Sequence, residues 1–391
     1  MSVPIYILTF NCNKNFQNPD AIISTFSKSY PVDPFPEFFV FGFQEVCSIL
    51  DSTSFEVVNN LLIELNETLI KSLRRKYGRE YNFQTVSISH VGAIGLIIIT
   101  PFLSKISNIK IGNCSCGIFA SSLKGGCGIR FNYKTTDLSS STFFTFCNCH
   151  LAALEGERNL QKRNQDVLTL MKGIDFGDGF GLIKPKNHCF FIGDLNYRAT
   201  ARIFNNTITD NSNEDRMIDE NEELIIDIDK DELNLCRKNN EVFIGFDEPN
   251  VKFKPTYKYI LGTQEYNMKR IPSWCDRILY QSYNTDSNVI VHKYDSISIS
   301  DSGLLSDHQP VYLSISVPMD PPINIINTHG YLSDVDGINI DNVYLKPSNL
   351  DKARRILTFI SDSTIGYALY SIGTTKGRFI TIIGLIIFYF F

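Results

Sequence analysis

The sequence repeats one arrangement: a short apolar run, typical of a buried β-strand, followed directly by an acid, an amide or a histidine. The clearest case is residues 190–198, where two phenylalanines and an isoleucine lead through Gly193 to Asp194 and Asn196. Taken alone, this run fits a strand end closed by an Asx turn equally well. The repetition constrains the fold, because strands that end at the same edge of a sheet bring their terminal side chains together.

Further apolar runs carry the same kinds of residue at their ends. Each residue alone has a structural explanation, as a solvated loop acid or a structural histidine. Together they comprise acids, amides and two histidines without a cysteine nucleophile, which predicts a magnesium site where water attacks a phosphate directly. An imidazole in such a site needs a carboxylate partner, which either Asp276 or Asp307 can supply. The residues at these strand ends are Asn11, Glu45, His150, Asp276, and Asp307 with His308.

Other phosphate chemistries are disfavoured by missing motifs. The sequence has no Cys-x5-Arg, the motif of enzymes that form a phosphocysteine. It also has no GxxxxGK[ST], the phosphate cradle of nucleoside triphosphatases. Direct attack of water therefore remains the favoured reaction.

Residues 252–270 concentrate positive charge in a chain whose formal net charge is −5. Basic side chains are interleaved here with aromatic ones, which predicts a local anion pocket that also accommodates a ring. General attraction to nucleic acid is not expected of an acidic chain. Lys124, just before Gly125, is a second candidate for contact with an anion, and a solvated turn lysine is an equally good interpretation. The basic residues of the segment are Lys252, Lys254, Lys258, Lys269 and Arg270.

Two other features of the sequence are expected to be structural. The ten cysteines occur without a secretory signal, so we expect reduced thiols in the cytoplasm. The pairs Cys114-x-Cys116 and Cys147-x-Cys149 lie in strand-like sequence, which favours small buried side chains over a zinc site. Residues 210–232 carry eleven acids without calcium-loop spacing, which predicts a solvated acidic face.

Several motifs, taken together, resemble those of the inositol polyphosphate 5-phosphatases, a branch of the magnesium-dependent endonuclease/exonuclease/phosphatase superfamily. The resemblance extends from about residue 5 to about residue 316. Asn-Cys-His-Leu-Ala-Ala (148–153) and Arg-Asn-Gln-Asp (163–166) contribute to it. The most specific motifs are Gly-Asp-Leu-Asn-Tyr-Arg (193–198), Pro-Thr-Tyr-Lys-Tyr (255–259), Trp-Cys-Asp-Arg-Ile-Leu (274–279) and Ser-Asp-His-Gln-Pro-Val (306–311).

This resemblance implies both a fold and a reaction. The fold is α/β (α+β) and deoxyribonuclease-like, a four-layer sandwich of two mixed β-sheets packed face to face between helices, with the site at one rim. The reaction is that of a phosphoric monoester hydrolase using Mg²⁺. Its substrates would be phosphoinositides such as phosphatidylinositol 4,5-bisphosphate, losing the 5-phosphate to an activated water. The 3,4,5-trisphosphate and soluble inositol polyphosphates are further candidate substrates.

The resemblance also assigns metal and catalytic roles. Glu45, with Asn11 near it, would hold Mg²⁺. Asp194 would orient or deprotonate the attacking water, while Asn196 and His150 would hold the scissile phosphate. We treat these assignments as expectations for the structure to test.

The remaining assignments concern charge stabilisation and the headgroup. His308, paired with Asp276, would stabilise developing charge, and Asp307 would complete the acidic cluster near the metal. Tyr257 and Lys258 would contact the neighbouring 4-phosphate. Other residues assigned to substrate binding are Lys124, Lys269, Arg270 and Arg277. The sequence departs from the family at Leu123 and Leu154, where an asparagine and a histidine are usual, so headgroup contacts are expected to differ.

The sequence after Pro318 lacks catalytic motifs, which predicts three regions. These are a catalytic domain (1–318), a linker or membrane-proximal region (319–375) that includes a helix over 350–360, and a C-terminal membrane anchor (376–391). As a helix, uncharged residues 379–391 span about 20 Å, less than the roughly 30 Å of a bilayer core. Basic residues precede them, so an anchor on the cytosolic face of an endomembrane is preferred to a buried last strand.

Two other functions fit parts of the sequence. A nuclease of the same superfamily would share Glu45, Asp194 and His308, but should lack the Tyr257–Lys258 pocket and carry a broader basic surface. A catalytically silent adaptor would bind phosphoinositides through the basic pocket alone. The presence of every proposed catalytic group disfavours the adaptor.

Overall fold

The protein is represented by a computed structural model, which describes residues 2–14, 18–135, 140–203, 206–207, 224–283, 288–299, 305–322, 325–332 and 343–381. The strands are β1 (Ser2–Asn11), β2 (Phe38–Gln44), β3 (Gln84–Val91), β4 (Ile94–Thr100), β5 (Ile106–Ser115), β6 (Gly125–Lys134), β7 (Ser141–His150), β8 (Asn187–Asp194), β9 (Ala201–Ile203), β10 (Asn206–Thr207), β11 (Leu224–Ile226), β12 (Phe246–Asp247), β13 (Asp276–Gln281), β14 (Ile290–Ser296) and β15 (Val311–Pro318). The helices are α1 (Pro19–Phe26), α2 (Ile49–Ser52), α3 (Phe55–Tyr77), α4 (Glu157–Gly173), α5 (Glu232–Lys238) and α6 (Asn349–Gly373).

Most of the strands form two six-stranded sheets. One has the order β14-β15-β1-β2-β4-β3 and the other β12-β13-β8-β7-β6-β5. Each sheet is mixed, with one parallel pair, β1 with β2 and β7 with β8, among antiparallel neighbours. The three short strands β9, β10 and β11 form a separate small sheet.

The sheets pack face to face because their central strands are rich in apolar residues on both faces, and β2 and β8 are buried over their whole length. Phe38 of one sheet contacts Phe131 and Phe144 of the other in a shared core. Helix α3 covers the outer face of the first sheet, and α4 covers that of the second. The predicted four-layer sandwich of two mixed sheets is therefore confirmed.

The two sheets are also joined by hydrogen bonds near the rim. Gln44 at the end of β2 donates through Nε2 to Asn148 Oδ1 on β7 at 2.6 Å. A side chain at Gly42 is excluded, because a Cβ atom there would lie 2.6 Å from the same Asn148 oxygen. This close approach holds the ends of β2 and β7 together.

Three local predictions change in the structure. The apolar character of residues 86–100 predicts one continuous strand, but these residues form a hairpin of β3 and β4 that turns at Gly92, where φ is 49°. The helix expected over 350–360 extends through α6 to Gly373. The acidic run 210–232 is not solvated at its end, because Asp231 is buried against Arg277 and Glu232 pairs with Arg163. Residues 210–223 of that run lie outside the described residues.

All ten cysteines are buried and free of disulfides, as expected for small core side chains. None of the helices in the described part of the chain combines the length and apolar character that crossing a bilayer requires. Of the expected anchor, residues 382–391 lie outside the described residues.

Candidate active site

Strand register brings the key side chains together at one end of the sandwich. On β8, Asp194 lies opposite His150 of β7 on one side and Asp276 of β13 on the other. Directly paired residues project from the same face of a sheet, so these three side chains stand in a row. Asn11, at the end of β1 in the other sheet, reaches the same point.

The Asp194 carboxylate is the centre of this cluster. Its Oδ2 atom accepts a hydrogen bond from Asn11 Nδ2 at 3.0 Å and lies 3.2 Å from His150 Nε2. The Nε2 atom of His308 is 3.9 Å from the same oxygen. Burial raises the pKa of Asp194, but His150, His308 and Lys124 outweigh it and hold the pKa well below its usual value. The carboxylate is therefore ionised at neutral pH.

The structure settles which acid partners His308. The His308 Nδ1 atom lies 2.9 Å from Asp276 Oδ2, which also accepts a hydrogen bond from Thr256 Oγ1 at 2.6 Å. Burial lowers the pKa of His308, but the carboxylates of Asp276 and Asp194 raise it to about 9 overall. An imidazolium therefore lies beside Asp194 at neutral pH, and Asp276 rather than Asp307 is its partner.

Lys124 lies inside the cluster rather than on a solvated turn. Its ammonium contacts His150 Nε2. Burial lowers the pKa of Lys124, while Asp194 and Glu45 act in the opposite direction. Burial and the Lys124 charge both lower the pKa of His150, so this imidazole is neutral next to the lysine.

Arg198 is a site residue that sequence reasoning did not assign, although it ends the Gly-Asp-Leu-Asn-Tyr-Arg motif. Its Nη2 atom donates to Asn196 Oδ1 at 2.7 Å, and its guanidinium lies 4.9 Å from the centre of the Tyr257 ring. The Tyr257 ring in turn packs 4.4 Å from the His308 ring. Arg198 thus links the predicted catalytic residues to the predicted headgroup residues. The available sequence signal for Arg198 was its position as a basic residue at the end of a motif whose other polar residues are assigned to catalysis.

Oxygen donors at the rim suit a hard divalent cation. Glu45 directly follows β2, contacts Lys14 at 3.8 Å, and keeps its side chain 34% exposed. Among the described residues, Asp194, Asp276 and His308 also offer ligand atoms that lie within 4.8 Å of one another, a possible metal site. The buried carboxylates of Asp194 and Asp276 therefore fit a divalent cation.

Asp307 and Lys258 pair with each other beside the cluster. Lys258 Nζ lies 2.9 Å from Asp307 Oδ2. The Asp307 carboxylate, expected in the acidic cluster near the metal, is thus paired with a lysine, and it contributes to raising the pKa of His308. The peptide bond between Tyr257 and Lys258 is cis. The Lys258 side chain remains about a third exposed, and its Nζ atom lies 5.3 Å from the centre of the Tyr257 ring.

The assignment of Arg277 to substrate binding is wrong. Arg277 follows Asp276 on β13, so its side chain projects from the opposite face of the sheet. There it is fully buried and forms ion pairs with Asp231 and Glu248, both at 2.5 Å. Lys269 is exposed, and Arg270 lies 3.9 Å from Glu155.

Comparison with known proteins identifies the family. The profile of the endonuclease/exonuclease/phosphatase family 2 matches residues 8–314, which contain every residue of this cluster. The chain belongs to this family. The predicted resemblance is thereby confirmed at the level of family and fold.

Curated relatives within the endonuclease/exonuclease/phosphatase family include inositide phosphatases. The chain is 28% identical over 299 residues to phosphatidylinositol 3,4,5-trisphosphate 5-phosphatase 2A of Danio rerio, covering 72% of this chain and 21% of that protein. It is 37% identical over 196 residues to polyphosphatidylinositol phosphatase INP53 of Saccharomyces cerevisiae, covering 48% of this chain and 15% of that protein. The chain thus spans about a fifth or less of the length of these relatives.

Solved structures of the endonuclease/exonuclease/phosphatase fold confirm the architecture. The inositol polyphosphate 5-phosphatase domain of SPsynaptojanin, in complex with inositol (1,4)-bisphosphate and calcium ion, superposes with a TM-score of 0.59 at 23% identity. The match covers 81% of this chain and 84% of that domain. Cimex nitrophorin, in a ferrous NO complex, superposes with a TM-score of 0.52 at 18% identity, covering 81% of this chain and 98% of the nitrophorin. One fold therefore serves different functions, and activity must be argued from the site.

Proposed function

We propose that the chain is a phosphatase that removes the 5-phosphate from phosphoinositides such as phosphatidylinositol 4,5-bisphosphate. One observation carries the proposal: the ionised Asp194 carboxylate lies between two imidazoles, with a partly buried lysine alongside. This arrangement can hold a water molecule against an anionic phosphorus centre. The names of the curated relatives agree with this substrate class.

Asp194 orients the attacking water in the proposed reaction. A carboxylate whose pKa lies well below its usual value is a weak base, so it accepts a hydrogen bond from water more readily than it takes the proton. Asn11 holds the carboxylate in position through its 3.0 Å hydrogen bond. The water is thereby fixed on one face of the phosphate.

His308 and Lys124 stabilise the negative charge that develops on the phosphate. His308 is protonated and fixed by Asp276, so it needs no rearrangement during the reaction. Neutral His150 lies between Lys124 and Asp194 and can donate or accept a hydrogen bond at the phosphate. Asn196, held by Arg198, contributes a carboxamide at the same rim.

We propose Mg²⁺ as the cofactor, held by Glu45 with Asn11. The oxygen donors and the accessible Glu45 carboxylate support this choice. When bound, a divalent cation polarises the phosphoryl oxygens and stabilises the leaving oxygen.

The pocket beside the cluster suits a second phosphate. Tyr257 and Lys258 lie next to His308 and Arg198, and the cation of Lys258 remains partly exposed. A vicinal 4-phosphate at this point would replace Asp307 as the partner of Lys258. The partly exposed Arg270 is a further candidate for contact with this phosphate. This pocket favours 4,5-bisphosphorylated headgroups over 5-monophosphates and over nucleic acid.

We further propose that the enzyme works in the cytoplasm, on the cytosolic face of an endomembrane, with the C-terminal segment as its membrane anchor. Two observations support a membrane partner: Ile356 and Phe359 on α6 are 67% and 73% exposed, and Phe119 is 81% exposed. Helix α6 also contacts the backbone of Phe119 through Ser361. An apolar surface of this kind suits a lipid bilayer.

Phosphate release from a panel of inositides tests the proposed function. We expect turnover of phosphatidylinositol 4,5-bisphosphate with Mg²⁺, loss of turnover on chelation, and little release from 5-monophosphates. A plasmid-nicking assay run in parallel should show no cleavage. Cleavage of the plasmid without inositide turnover would favour the nuclease alternative, and binding of inositides without release of phosphate would favour the adaptor.

A further inference from the structure

Helix α6 lies outside the family-matched region, yet it packs against a turn that leads into the active site. Three of its side chains, on one face of the helix, bind the backbone of residues 119–122. Thr358 Oγ1 donates to Ala120 O at 2.8 Å, and Ser361 Oγ donates to Phe119 O at 2.5 Å. Asp362 Oδ1 accepts a hydrogen bond from Ser122 N at 2.8 Å. The spacing of these residues, at i, i+3 and i+4, places them together on the helix.

The backbone of this turn needs external support. Phe119 and Ala120 have φ angles of 51° and 59°, in the left-handed region that residues with a Cβ atom adopt at a cost of about 1–2 kcal/mol each. Such conformations persist where the surrounding structure over-determines them. The hydrogen bonds of Thr358, Ser361 and Asp362 to residues 119–122 stabilise this backbone conformation.

The turn is connected directly to Lys124. Its base is closed by hydrogen bonds from Cys116 N and Gly117 N to Lys124 O, at 2.8 and 3.2 Å. The ammonium of Lys124 then contacts His150, whose other neighbour is Asp194. A change in the conformation of the turn is therefore expected to move the Lys124 ammonium, which lies beside the proposed phosphate site.

We propose that α6 is a positioning element for Lys124, with Thr358, Ser361 and Asp362 as the residues that hold the turn. The kinetic part of this inference rests on the proposed phosphatase function. In this proposal, a helix beyond the family-matched region helps to hold the Lys124 ammonium at the proposed phosphate site.

Amide hydrogen exchange of the full chain tests the contact without any assay of activity. In Asp362→Ala, we expect the Ser122 amide to exchange at least about tenfold faster than in the native protein, because its acceptor is gone. Asp362→Asn keeps an acceptor oxygen and should exchange within about twofold of native. Thr364→Ala is the matched control, since its hydroxyl bonds only within the helix, to Ile360 O at 2.8 Å. Unchanged exchange of Ser122 in Asp362→Ala would overturn the proposal.

Kinetics then test whether the helix acts through Lys124. The triple variant Thr358→Ala/Ser361→Ala/Asp362→Ala should lower kcat/KM by about tenfold in the native background, and by less than about twofold when Lys124→Met is also present. Equal losses in both backgrounds would show a general structural role and overturn the proposal. If the native chain hydrolyses no inositide, the proposed function fails, while the exchange result still decides whether α6 holds the turn.

Discussion

The Nδ1 atom of His308 lies 2.9 Å from Asp276 Oδ2, while its Nε2 atom lies 3.9 Å from Asp194 Oδ2. One imidazole thus stands between two buried carboxylates that come from neighbouring strands. Removing water from this arrangement strengthens the attraction between the charges. The result is a fixed cation next to the carboxylate that we propose orients the nucleophile.

The His308 cation should stabilise the fold in a defined pH range. Its pKa is about 9 in the folded protein, against about 6.5 when unfolded. The stabilisation is fully present below pH 6.5 and is lost as the pH rises through 9, in total roughly 3 kcal/mol. Urea unfolding of the native protein should therefore show this loss across the range. The double variant His308→Gln/Asp276→Asn, which carries no charge at either position, should not lose this stability. Equal pH dependence of the unfolding free energy in the two proteins would contradict a protonated His308 at neutral pH.

Arg277 should matter for stability rather than for substrate binding. Replacement by Met leaves Asp231 and Glu248 buried without their partner, so we expect a loss of about 3–5 kcal/mol in the free energy of unfolding. Lys230→Met is the matched control, because its pair with Asp227 is exposed and should contribute less than about 1 kcal/mol. A native-like unfolding free energy for Arg277→Met, together with a raised KM, would instead show that Arg277 contributes to binding of the headgroup.

The sequence predicts the row of side chains at the rim well, because Asp194, His150 and Asp276 each mark the end of an apolar strand. The strand-end pattern alone leaves Asp276 and Asp307 open as partners of His308, and only the family resemblance selects Asp276. The register of β13 against β8 places Asp276 directly opposite Asp194, and therefore beside His308.

Other residues could not be placed from sequence for related reasons. Arg277 is adjacent to a site residue but occupies the opposite face of its strand, and its acidic partner Asp231 is 46 residues away. The support of the Lys124 turn by α6 joins residues 240 positions apart, Ser122 and Asp362. Local patterns carry no signal for such contacts.

Lys258 should determine preference for a second phosphate. In Lys258→Met, the loss of one partly exposed cation should raise KM for 4,5-bisphosphorylated inositides by about tenfold or more. Release from 5-monophosphates, already slow, should change little. Lys254→Met, a basic exposed neighbour in the same segment, is the control and should keep the native KM. An equal rise in KM for both substrate classes would place Lys258 outside the 4-phosphate pocket.

The apolar surface of α6 should contribute to membrane binding. Ile356→Ser/Phe359→Ser removes two exposed apolar side chains, so we expect affinity for vesicles containing phosphatidylinositol 4,5-bisphosphate to fall by about tenfold or more. Turnover of soluble inositol phosphates should stay the same. Val32→Ser is the control, since Val32 is equally exposed but precedes the start of β2, at the end of the sheet away from the site. Unchanged vesicle affinity in the double variant would show that this surface does not contribute to membrane binding.

The most direct measurement of the central claim is the rate of phosphate release from phosphatidylinositol 4,5-bisphosphate by Asp194→Asn in the presence of Mg²⁺. The substitution keeps the shape of the side chain and removes the charge that lies between His150 and His308. We predict a loss of at least about 10³-fold in kcat with a native-like melting temperature. A folded Asp194→Asn protein that turns over within about threefold of the native rate would contradict the proposed role of this carboxylate.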